Sequence, residues 1–188
     1  MRFSLTRSNI ARIIDAELPW AMWEYYVEYS WYVRINERNG DLMAEGRREF
    51  DLSLPRGLRL VHSFVRFDGD IHNGGIAQYF GNHSPDEVSE DVDALRTIGA
   101  EGATILEEAV AIYKQIYGWP LNHKGDFEVE PWEHPALERL NHLYDAELTR
   151  RDCARLNAYL RQHLDECILP VEVECSNMHE FLRPEEDH

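Results

Sequence analysis

His62, Asp68, Asp70, His72 and His83 crowd one region of this 188-residue chain, so metal chemistry is the first question its residues raise. Metal motifs normally place two ligands on one short segment, as in H-x-x-x-H or H-E-x-x-H. Neither spacing occurs, so the pattern assigns no metal site. There is no G-x-S-x-G for an activated serine, and Cys153 and Cys167 fall on the apolar side of a predicted helix, where thiols are inert. Neither a P-loop nor a G-x-G-x-x-G is present. Asn73-Gly74-Gly75 opening a helix could meet an anion with backbone N–H groups, but the surrounding acids oppose a phosphate. The residue types point to a protein that is not an enzyme and needs no cofactor.

The carboxylates are more informative. At 100° per residue Asp86, Glu90 and Asp93 form one helical stripe, flanked by Glu87 and Asp91. Glu101, Glu107 and Glu108 are expected on the outer side of the following helix. Asp126, Glu128, Glu130 and Glu133 alternate with Phe127, Val129 and Trp132 in a loop. Helical carboxylates at i, i+4 and i+7 are about 6 Å and 4.5 Å apart along the axis. Duplex DNA carries about one negative charge per 1.7 Å of its axis. One charged face alone reads as solvated surface, whereas several held on a rigid fold could stand in for a phosphate row.

The formal net charge is −16, and it is unevenly distributed. Residues 1–60 are neutral, residues 68–133 carry −11 and residues 162–188 carry −7. Such a field repels nucleic acid and anionic membrane and attracts basic partners. No run of about 18 apolar residues could form a membrane span, and the N-terminus lacks the apolar core of a signal peptide. Cys153, Cys167 and Cys175 make an odd set without C-x-x-C, as expected of reduced thiols in the cytoplasm.

The elements that must position these groups are mainly helical. Helices are expected over 8–18 (Ser8 as cap), 20–36, 41–50 and from Ser53-Leu54-Pro55 to the glycines. Trp20, Trp23, Val27 and Trp31 recur at helical spacing in the second, which reads as core, with a homodimer or partner contact as its alternative use. Asn39-Gly40 is a turn. Ser84 caps a helix from Pro85, and Gly99 ends it. Residues 101–117 follow, with Leu106, Ala109, Val110, Tyr113 and Ile116 inward, then a loop over 118–135 and a helix over 135–149. Asp152 starts a last helix that Pro170 ends. Residues 170–174 read as extended, and 184–188 as a frayed tail. With no βαβ alternation, the chain reads as an irregular multi-helix bundle. It divides into an aromatic-rich helical extension over 1–52, a helical domain over 53–170 and an acidic tail over 171–188.

The hinge of this arrangement is the stretch from Asp70 to Asn82. Two glycines after Asn73 mark a bend with φ > 0, and Asp70, Asn73, Gln78 and Asn82 put polar side chains beside it. Their spacing reads as a structural knot. D-x-x-N-G-G-x-x-Q-Y-F at Asp70, Asn73, Gly74, Gly75, Gln78, Tyr79 and Phe80, then Asn82-His83-Ser84 and Ile98-Gly99-Ala100, resembles the core motif of the bacterial DNA-mimic protein family, in its C-terminal domain. The resemblance covers roughly residues 60–167. It implies an acidic protein that occupies the DNA-binding face of a basic partner, such as a helix-turn-helix transcription factor, and blocks its DNA binding. The knot would then serve the fold. An immunity or antitoxin-like inhibitor of a basic toxin needs the same charge. A metal-dependent enzyme on Asp68, Asp70, His72 and His83 is the remaining alternative.

Overall fold

Thr6, not Ser8, opens the first helix. Its hydroxyl accepts the Asn9 backbone N–H, and helix α1 runs only over Arg7–Arg12. Ile13 and Ile14 are extended instead of helical, because Ile13 pairs across the chain with Leu182. The helix expected over 8–18 is therefore cut short. A 3-10 turn at Asp15–Glu17 leads into α2, Leu18–Asn36, with Pro19 tolerated in its first turn. The chain continues through α3 (Ala44–Ser53), α4 (Arg56–Asn82), α5 (Pro85–Thr97), α6 (Gly102–Ile116), α7 (Pro135–Leu143) and α8 (Ala146–Gln162). The structure is a computed structural model that describes residues 1–36, 44–118 and 130–183, without the side chains of 35, 36 and 44–48. The Asn39-Gly40 turn, the start of the 41–50 helix, most of the 118–135 loop and the 184–188 tail lie outside the described residues. The mainly α expectation holds.

Met1–His62 and Leu156–His188 form one unit, and Ser63–Arg155 the other. In the first, β1 (Arg2–Leu5) pairs antiparallel with β2 (Leu169–Glu174), with Phe3 opposite Val173 and Leu5 opposite Leu169. The extended segment at 170–174 is thus a strand with a partner. β1 was not legible, because four residues give no periodicity to read. Tyr25 of α2 donates its hydroxyl to the Val171 carbonyl (2.8 Å), and Leu18, Ala21, Met22, Tyr25 and Val33 bury the inner face of that helix. The tryptophan stripe lies elsewhere: Trp20 and Trp23 are half-buried and Trp31 is 50 % exposed, with the Arg34 guanidinium 5.0 Å above its ring. A helix apolar all round cannot announce which side is core. Cys167 sits in a 3-10 turn at Leu164–Cys167 that ends the last helix early, and burial pushes its thiol and that of Cys175 up to about 12.

In the second unit Phe67 is the centre of an aromatic cluster, with the rings of Tyr144 and Tyr79 edge-on at 4.8 Å and 5.5 Å. Phe80 stacks on Tyr113 at 4.0 Å, which joins α4 to α6. Offset and edge-on pairs of this kind add about 0.5–1.5 kcal/mol each to the burial of their rings. Leu106, Ala109 and Tyr113 face inward as expected, but Ile116 is 46 % exposed in the last turn of α6. The helix expected over 135–149 is two helices. Tyr144 leaves helical geometry (ψ 71°), and Asp145 caps α8 by accepting the Leu148 N–H. Asp152 does not start a helix. It lies within α8 and is fully buried.

Candidate functional site

Gly74 and Gly75 break α4. Gly75 has φ 76° and ψ −176°, a region essentially restricted to glycine that costs another residue about 1–3 kcal/mol, and a Cβ there would come within 3 Å of the Asn141 amide. Breaking a helix orphans N–H groups in the half that restarts. Asn141 of α7 meets one of them, its Oδ1 accepting the Ile76 N–H at 2.8 Å. Asp70, before the break, accepts from three groups after it: Gln78 Nε2 (3.1 Å), Asn82 Nδ2 (3.2 Å) and His83 Nε2 (2.6 Å). The polar groups of the motif thus bridge the break through one carboxylate. Asn73 is exposed just before it, while Tyr79 and Phe80 are buried.

Beneath the knot lies a buried charge pair. Arg66 donates to both oxygens of Asp91 (Nε 3.0 Å, Nη2 2.5 Å), and the Tyr79 hydroxyl donates to Asp91 at 2.6 Å. Burial pushes the Asp91 carboxyl up from its ordinary value, while Arg66, Tyr79 and Ser63 hold it down. Asp91, expected on the acidic surface, is 0 % exposed and is corrected to a core residue. Its place on α5 turns it toward α4, where Arg66 neutralises it. Glu87 also faces inward in part. It closes a capping box with Ser84 and meets Arg66 Nη1 at 3.3 Å. Burial works against its charge, but the Ser84 bonds, Arg66 and His83 hold the Glu87 carboxyl below its ordinary value.

The other acids separate into two groups. Asp86 and Asp93 are exposed on α5, with Glu90 half-buried between them and Arg96 3.9 Å from Asp93. Glu133 is exposed and Glu130 half-buried around a 3-10 turn, Pro131–Glu133, that also carries Trp132. The carboxylates of α6 are engaged by arginines. Glu101 accepts from Arg155 (2.7 Å) and Arg151 (3.2 Å), which lower its pKa, Glu107 from Arg96, and Glu108 from Arg139. Asp126 and Glu128 lie outside the described residues.

A match to a known family covers this whole arrangement. The family model described as DMP19-like protein matches residues 52–163. The chain belongs to the DMP19-like family. No curated protein and no solved structure matches it. The DMP19-like segment contains the knot, the Arg66–Asp91 pair, α5 and α6, and it agrees with the resemblance read from the Asp70–Phe80 motif. Residues outside it include both strands, α1 and α2.

Two positioning residues of the DMP19-like segment were not foreseen. Asn141 is one; nothing near it in sequence marks its partner 65 residues away. Asp152 is the other. It accepts the N–H groups of Glu101 and Gly102, both at 2.8 Å, and so caps α6 from α8. The Ala100-Glu101-Gly102 junction offers no short capping side chain of its own, which was the only available signal. Of the histidines weighed for metal, His83 is bound to Asp70, His72 lies 3.4 Å from Asp68 and 2.9 Å from Thr149, and His62 belongs to the other unit, against Tyr26. Among the described residues no three His, Cys, Asp or Glu side chains are grouped to hold a metal ion, and no helix is long and apolar enough to cross a membrane.

Proposed function

We propose that this protein stands in for duplex DNA. It binds the DNA-binding face of a basic protein, such as a helix-turn-helix transcription factor, and blocks that protein's access to DNA in the cytoplasm. It acts by occupancy, without catalysis or cofactor. The observation that carries the reading is the DMP19-like match over 52–163, which spans the entire block of −11 at residues 68–133. The exposed stripe of Asp86 and Asp93 with Glu90 is the surface offered to the partner, extended by Glu130 and Glu133. The α6 acids are already engaged by arginines and serve the fold first.

The test is capture of partners from native lysate at low salt, followed by challenge with duplex DNA. The expected result is a DNA-binding protein that duplex releases, and that Asp86→Asn, Glu90→Gln, Asp93→Asn binds at least tenfold more weakly. Recovery of only a basic toxin indifferent to DNA would overturn the reading in favour of an immunity role. Retention of no basic protein would reduce the acidic surface to solubility.

A further inference from the structure

A groove of about 300 Å³ opens beside the knot, lined among others by Gly74, Ala77, Gln78, Gly81, Asn82 and Trp132. Three small residues of α4, Gly74, Ala77 and Gly81, make room for it. Trp132 is 66 % exposed and forms a wall, flanked in its turn by Glu133 and Glu130. The amide nitrogens of Gln78 and Asn82 both donate to Asp70, which leaves their carbonyl oxygens as the acceptors. Gln78 Oε1 lies over Gly74, where a Cβ would collide with it, so the glycine is what lets that oxygen take its position. The groove is thus lined by two side-chain amides and a tryptophan, with acidic residues in the adjoining turn and no cation among those lining residues.

We propose that this groove receives an arginine side chain of the basic partner, the guanidinium plane against Trp132 and its N–H fork donating to Gln78 Oε1 and Asn82 Oδ1. Charge complementarity selects a cation, since the groove lies within the block of −11. The ring face selects a planar one that stacks, and the paired acceptors select a fork of donors over the point charge of lysine. The identity of the occupant as part of a protein rests on the DNA-mimic reading, while the chemistry of the groove does not.

The test uses the full chain, labelled with ¹⁵N, titrated with Nα-acetyl-arginine amide and with its neutral isostere Nα-acetyl-citrulline amide. The arginine compound should shift the Trp132 indole N–H and the Gln78 and Asn82 side-chain amides saturably, and the citrulline compound should bind several-fold more weakly. Trp132→Ala should weaken the arginine compound about threefold or more, and Trp132→Phe should restore part of the loss. Trp132 is mostly exposed, so both variants keep the fold. Equal binding of the two compounds, or shifts spread over the acidic surface and unchanged in Trp132→Ala, would overturn the proposal. So would a captured partner that binds Trp132→Ala as tightly as the native protein, an outcome that leaves the DNA-mimic reading intact. Conversely, Trp132-dependent binding of the arginine compound, with no captured protein released by duplex, keeps the groove and removes the reading.

Discussion

Asp91 and Asp86 are five residues apart on one helix and do opposite work. Asp91 is sealed against Arg66, whose side chain is 11 % exposed, so Asp91→Ala leaves a buried guanidinium with only the longer contact to Glu87. The expected cost is about 3–5 kcal/mol in urea unfolding. Asp86→Asn, at an exposed position, should stay within about 0.5 kcal/mol. Sequence could not tell them apart, since helical spacing places both near one acidic stripe, and only the packing of α5 on α4 decides which carboxylate is covered. Glu87 gives the pH dependence. Its folded pKa is depressed, so its contribution to stability is present above the ordinary carboxylate range and is lost as pH falls through the folded value. Asp91 has the opposite sign, because its raised pKa makes ionisation a cost as pH rises through that window. Glu87→Gln should therefore lower Tm most near pH 7, with the gap to native protein closing toward pH 3. A gap independent of pH would contradict this assignment.

At the scale of elements, α4 is one helix in two pieces, and the break is the feature that sequence reported best. Asn73-Gly74-Gly75 foretold it, and Ser84 before Pro85 foretold the start of α5, because caps and positive-φ glycines are local chemistry. The cap of α6 by Asp152 was hidden because its partners are about 50 residues away, whereas the break between α7 and α8 carried a local signal, the Asp145 cap, that the helical periodicity of 135–149 overrode. Gly75→Ala should cost about 2–3 kcal/mol, combining positive φ with displacement of Asn141 from the Ile76 N–H. Gly69→Ala provides the contrast. A Cβ there meets nothing within 4 Å, so the change should stabilise by about 0.5–1 kcal/mol through helix propensity. Thermal unfolding of the two variants side by side checks the sign of each.

For the whole molecule, charge is the property most legible in sequence and the least specific. The −16 favours basic partners in the proposed reading, and the α6 carboxylates are the ones already engaged by arginines. The exposed carboxylates of α5 and those beside Trp132 set the salt dependence of that binding, which steepens with each ion pair they form. Affinity for the partner should fall at least tenfold between 50 and 200 mM salt if several ion pairs form and release counterions. The most direct test of the central claim is competition at one fixed salt. The purified partner is titrated with this protein at increasing concentrations of duplex DNA. The DNA-mimic account predicts that the apparent Kd rises in proportion to duplex concentration, with no species containing all three components. A Kd unmoved by duplex, or a stable ternary complex, would show that the acidic surface and DNA occupy different faces, and would contradict it.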